Sequence, residues 1–207
     1  MKTLVLCPAY FAPIAHWVPL AHSTPIVWEI QDHYQKQTYR NRAYIAAANG
    51  KLMLNIPVKH TQKGTHQKYQ EVRIENDFPW QQQHWKSLES AYRSSPFFEF
   101  YEDDLNVLYT TPALTLLDFN MRCIRWVCES LQLNAPEFTT TNYHKTLPSE
   151  HTDGRDWIHA KGNQPIGLDP YIQVFSEKNG FLANLSILDL IFNEGPNAVS
   201  YLKKSRP

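Results

Sequence analysis

The residues best suited to chemistry lie in one short run, Asp32–Arg42, DHYQKQTYRNR. It opens on Asp32, carries Lys36, Arg40 and Arg42 close together with Asn41 between the arginines, and interleaves Tyr34 and Tyr39. Guanidinium forks match phosphate or carboxylate oxygens two at a time, so this composition reads as an anion site. A solvated connecting loop is the plain alternative, and the interleaved tyrosines weigh against it. The other candidates are dispersed: Tyr10 and His16 near the N-terminus, and His84, Trp85 and Lys86 in a helical segment. His16 and His84 are candidate general bases, because imidazole titrates near neutrality, and Asp32 is the candidate carboxylate of the same group. Tyr10, Lys36, Arg40, Asn41, Arg42, Trp85 and Lys86 are the candidate substrate-binding residues. A lone histidine is more often a hydrogen-bonded structural residue, so neither base stands without its surroundings.

Other chemistries find little support. GxSxG, GxxxxGK[ST] and GxGxxG are all missing, and seven glycines leave little material for phosphate-cradling loops. His144, His151, Asp153, Asp156 and His159 are dense but follow no metal-ligand spacing. A metal-dependent hydrolase built on His144, His151 and His159 is the outlying possibility; no metal and no cofactor is assigned.

These residues need a frame to hold them. Thr3–Leu6 is a short apolar run that stops at Cys7-Pro8, and Pro8 and Pro13 brace a non-helical corner holding Tyr10 and Phe11. Ile14–His22 suits a short helix limited by Pro19, and Pro25–Gln31 alternates as a strand. Together they predict a parallel βαβ-like unit, and the site is expected at its strand ends. Ala43–Ala48 and Lys51–Lys59 flank Asn49-Gly50, a pair suited to a type I′ hairpin. Glu71–Glu75 and Tyr171–Phe175 read as further strands. Helices are expected over Trp80–Arg93, Phe97–Leu108, a segment capped by Thr111 with Pro112 first, Phe181–Phe192 and Asn197–Lys203. Asp189, an acid on an apolar helix, must be paired if buried. Residues 134–165 form a long polar connection, a loop or lid.

The expected architecture is α/β: a single domain over 1–207 with a mixed, partly parallel sheet, the βαβ-like unit, a hairpin, flanking helices and an α-helical C-terminal half. A chain this long buries roughly 70% of its unfolded surface and needs no staple. Lys+Arg and Asp+Glu are 20 each, so the net charge is zero, which argues against a nucleic-acid or membrane-surface binder. Cys7, Cys123 and Cys128 are read as buried thiols in a reducing compartment, and the cytoplasm is the expected location. No apolar stretch approaches the roughly 20 residues of a membrane-spanning helix, so no membrane insertion is expected.

The segments PAYFAP, DHYQKQTYRNR, HWKSLESAYRSSPFFEFY and YIQVFSEKNGFLANLSILDLIFNEGPNAVSYL resemble the WbqC-like proteins, in the expected order through nearly the whole chain. That family is named for bacterial surface-polysaccharide (O-antigen) gene clusters. The resemblance implies an enzyme of polysaccharide precursor biosynthesis, a transferase acting on an activated amino sugar, with a non-catalytic sugar- or nucleotide-binding or assembly protein as the alternative. Its ligand would be a phosphorylated or nucleotide-linked sugar, and a homo-oligomer is compatible with it. One departure stands out: the family usually opens with His-Gln-Pro, where this chain has Leu6-Cys7-Pro8. If that histidine is catalytic in relatives, this protein uses another residue or lacks the activity.

Overall fold

The computed structural model describes residues 2–59, 67–160 and 167–205. Its elements run β1 (Thr3–Leu6), α1 (Ile14–Ala21), β2 (Ile26–Trp28), β3 (Arg42–Ala47), β4 (Gly50–Asn55), α2 (Trp80–Tyr92), α3 (Phe98–Thr110), α4 (Leu116–Ser130), β5 (His151–Asp153), α5 (Ser176–Asn179), α6 (Ile187–Glu194) and α7 (Ala198–Lys204). Single 3₁₀ turns occupy Tyr69–Glu71, Arg155–Ile158 and Gly195–Asn197. The class is α/β with a helical C-terminal half, as the sequence predicts.

β1 and β2 pair in parallel, Val5 against Val27, with α1 as the crossover. Every residue of α1 is buried despite Pro19, which suits a helix wrapped by the rest of the chain. β5 joins the other flank of β1, also in parallel, with Leu4 opposite Thr152. The order is therefore β2-β1-β5, and the hairpin β3-β4 forms a sheet of its own rather than extending the parallel one. A continuous hydrophobic core runs from the parallel strands through α1 to α4 and α6, with Tyr10, Trp17, Phe98, Phe119 and Phe192 among its fully enclosed side chains.

Several local expectations shift. The hairpin turns on Ala48-Asn49, with Ala47 opposite Gly50, so the Asn49-Gly50 type I′ turn is replaced. Only Gly50 there has positive φ, at 102°, a conformation glycine adopts without penalty. α4 starts at Leu116, because Thr115 and not Thr111 caps it, Thr115 Oγ1 accepting from Asp118 N at 3.3 Å. Pro112–Thr115 is extended because residues 72–74 claim it: Ile74 N donates to Leu114 O and Leu116 N to Val72 O. Glu71–Glu75 makes only isolated bridges there, to Val58 and Thr115.

Tyr171–Phe175 is not a strand. The Gln173 side chain does the pairing instead, accepting from Leu182 N at 2.8 Å and donating to Leu182 O at 3.0 Å. α6 begins at Ile187 rather than Phe181, because Ser186 caps it while residues 185–187 bond the N-terminal corner. Ile14 N donates to Leu185 O, Ile187 N to Ala12 O and Ser186 Oγ to Phe11 O. That corner is tight: Phe11 is buried with φ of +38°. Parts of the polar connection expected over 134–165 are built into the fold where it is described. Phe138–Thr140 pairs with Trp28 along β2, and His151–Asp153 is the third parallel strand. Residues 161–166 of that span lie outside the described residues.

Candidate functional site

In this sheet the chain leaves β1 towards β2 on one side and places β5 on the other. The strand order therefore reverses at β1, and open α/β sheets bind ligands outside the carboxyl ends of such strands. The residues there are Cys7 after β1, Glu29 after β2, Gly154-Arg155 after β5, and the loop Asp32–Arg40 that follows β2. Arg40 is fully buried and paired with Asp32; its Nη2 also reaches Cys7 Sγ at 3.2 Å, and its guanidinium lies over the Tyr69 ring at 4.9 Å. Asn120 holds the same loop from below, donating to Arg40 O at 2.7 Å and to Tyr69 Oη at 2.6 Å. Burial lifts the Asp32 carboxyl above its ordinary value against the pull of Arg40, and lifts the Cys7 thiol to about 12. Cys7 is therefore a protonated thiol, not a nucleophile.

Glu29, which the sequence reading passed over, is also fully buried. Its Oε1 accepts from Gln31 N and Thr140 Oγ1, both at 2.8 Å, and its Oε2 lies 3.8 Å from Arg155 Nη1. Arg155 was missed as well. It binds Asp153 through Nε at 2.8 Å, donates to His144 O at 2.8 Å and Lys145 O at 3.2 Å, and lies over Tyr143. A lone acid in an apolar strand, PIVWEIQ, was the available signal for Glu29. Arg155 gave none, since the strand it follows reads as polar loop.

The outer face of the same loop lines an open cleft of about 440 Å³. Lys36 and Arg42 supply cations, Asn41 and Asn55 amides, Tyr34 and Phe78 aromatic walls, and Glu75 a carboxylate. Its volume is within the range of small-molecule sites. Arg42 Nε is steered by Asn55 Oδ1 at 3.4 Å, and Asn41 Nδ2 donates to Ile56 O at 3.1 Å, so β4 sets both residues. Phe78, 63% exposed at the rim, is the aromatic the sequence reading missed. A larger groove of about 940 Å³ lies among α3, α4 and the Gly195–Lys203 region, where Asp104 and Glu129 stand among Arg122, Arg125 and Lys203.

The structure divides the predicted site residues. Lys36, Asn41 and Arg42 share the cleft; Asp32 and Arg40 sit behind it as a buried pair. Tyr10 is enclosed in the core, its hydroxyl 2.9 Å from His84 Nδ1 and 2.8 Å from Tyr109 Oη, so it has no ring face for a sugar. His84 is 6% exposed and bonded to the Asn55 backbone as well, and burial lowers it to about 4. Trp85 packs on Phe98 and Tyr109, and Lys86 faces outward on α2. His16 is buried edge-on to Tyr39 and Trp157 and lowered to about 3 by desolvation alone. Both imidazoles are therefore neutral and sequestered. Asp189 is anchored by tyrosines and not by an arginine: Tyr92 and Tyr171 donate to it at 2.8 and 2.5 Å, and Gln173 at 2.8 Å. Among the described residues no three His, Cys, Asp or Glu side chains are placed to hold a metal ion, and no helix is long and apolar enough to cross a membrane.

No solved structure matches this chain. An uncharacterized protein of Mycobacterium tuberculosis is 26% identical to it over 199 residues, an alignment covering 84% of this chain and 85% of that protein. A family model described as the WbqC-like protein family matches residues 8–164. The match begins at Pro8, directly after Leu6-Cys7, takes in the loop Asp32–Arg42 and the cleft, and ends before the C-terminal block that docks on the corner. This chain belongs to the WbqC-like protein family.

Proposed function

We propose that this protein binds a phosphorylated or nucleotide-linked sugar, in the cytoplasm, as a component of bacterial surface-polysaccharide precursor metabolism. The observation that supports this is the cleft itself. Lys36 and Arg42 suit a phosphate or diphosphate, Asn41 and Asn55 suit hydroxyls, and Tyr34 and Phe78 offer faces for a pyranose or a base. The family name supplies the metabolic setting and no chemistry.

A transferase acting on an activated amino sugar is the second reading. What favours it is the gathering of Glu29, Asp32, Arg40 and Arg155 at the carboxyl ends of the parallel strands. What weighs against it is that the candidate bases His16 and His84 are buried, neutral and turned away from the cleft's lining. A thermal-shift screen against nucleotide sugars and sugar phosphates tests the binding reading. A ligand at about 100 times its Kd stabilises by roughly 3 kcal/mol, so the midpoint should rise by about 5–10 °C. A flat response to every sugar nucleotide and sugar phosphate would remove the reading. Light scattering of the same sample reads whether the protein is a homo-oligomer.

A further inference from the structure

The groove among α3, α4 and α7 shares no lining residue with the cleft. Its rim is apolar and open: Phe100 is 78% exposed and Val107 57%. The two stand seven residues apart on α3, which is the same face two turns on. Phe100 is held in place, its ring meeting Tyr101 edge-on at 4.9 Å, and Tyr101 in turn meets Trp126 of α4 at 6.1 Å. An aromatic row therefore runs from the core of the molecule out to water. Exposed apolar side chains gathered around a groove mark an interaction surface more often than scattered single ones do.

The groove also holds charges of both signs that do not meet. Arg122 is paired with Asp118 at 3.4 Å. Asp104 on α3, Arg125 and Glu129 on α4 and Lys203 on α7 line the same groove. Among the described residues, none of those four makes an ion pair. A ligand of one charge, such as a phosphate, would be drawn by Arg125 and Lys203 and repelled by Asp104 and Glu129. An occupant presenting both signs in exchanged order suits all four. A second copy of this face does so by symmetry, because in a two-fold contact residue i meets j wherever j meets i. Aromatic side chains and arginine are also what protein contacts are enriched in.

We propose that this groove is the two-fold interface of a homodimer, with an axis along the groove that lays α3 of one protomer on α4 of its partner. Asp104 then meets the partner subunit's Arg125, Arg125 meets the partner subunit's Asp104, and Phe100 enters the partner's groove. The proposal stands apart from ligand binding in the cleft, since the two places share no residue.

Sedimentation velocity over a concentration series tests it. The wild type should sediment as a monomer–dimer equilibrium with no larger species, because an isologous contact closes at two copies. Phe100→Asp should weaken the dimer tenfold or more, as loss of a central aromatic anchor does. Asp104 and Arg125 are both exposed, so their substitution leaves the protomer folded, which circular dichroism checks. Asp104→Arg and Arg125→Glu each place like charges together twice per dimer, and each alone should weaken association tenfold or more. Mixed in equal amounts, the two variants present opposite charges at both pairs, and the dimer should return. A wild type that is monomeric throughout the series overturns the proposal. So does a dimer that all three variants leave intact, or a series of species that keeps growing with concentration. Two charge variants that stay monomeric when mixed overturn the two-fold pairing.

Discussion

Arg40 illustrates how a residue that reads as a ligand contact becomes structural. It is enclosed, paired with Asp32, held over Tyr69 and tied to Cys7. Removing one member of a buried pair strands the other charge, so Asp32→Asn should lower unfolding stability by about 3–5 kcal/mol in urea denaturation. The two buried histidines set a pH dependence. Unfolded, each takes a proton near 6.5; folded, His16 does so only near 3 and His84 near 4. The unfolded chain therefore binds more protons below about pH 6.5, and stability falls as pH falls through that window. Between pH 7.5 and 5 each histidine withdraws about 2 kcal/mol. The Asp32 and Asp189 carboxyls, raised by burial, act in the opposite sense. The histidine contribution is isolated by His16→Phe, which should flatten the wild-type slope by about 2 kcal/mol over that range in urea unfolding.

At the scale of elements, the parallel strands depend on a close approach at Gly154. A Cβ there would stand 2.6 Å from Leu6 Cδ2, 2.9 Å from Leu4 Cδ1 and 3.2 Å from Val5 O. Gly154→Ala should therefore cost about 1–3 kcal/mol, read by chemical denaturation, and should loosen the end of β5 and with it Arg155. The βαβ unit, the hairpin and the long helices were legible in the sequence because their apolar periods are regular. β5 was not, because HTD is short and polar and is a strand only through its partner β1. YIQVF failed for the converse reason. It has the composition of a strand, but the Gln173 amide takes over the pairing and also feeds Asp189.

At the scale of the molecule, the fold brings together two segments that lie at opposite ends of the chain. The proline-braced corner around Tyr10 and Phe11 is stitched to residues 185–187, and Asp189 fastens α6 to Tyr92 and Tyr171. The loop Asp32–Arg42 was legible in the sequence as a cluster of cations. Which of them face outward was not, since burial depends on Tyr69, Asn120 and β4, which lie far along the chain. Sorting them leaves Lys36 and Arg42 at the cleft, and the proposed binding rests on these two. Calorimetric titration of UDP-N-acetylglucosamine into wild type and Arg42→Ala at low and moderate salt tests that directly. Arg42→Ala should bind about tenfold or more weakly, and the wild-type affinity should fall as salt screens the exposed cations. Wild-type affinity that is indifferent to both the substitution and the salt would contradict the cleft as the ligand site.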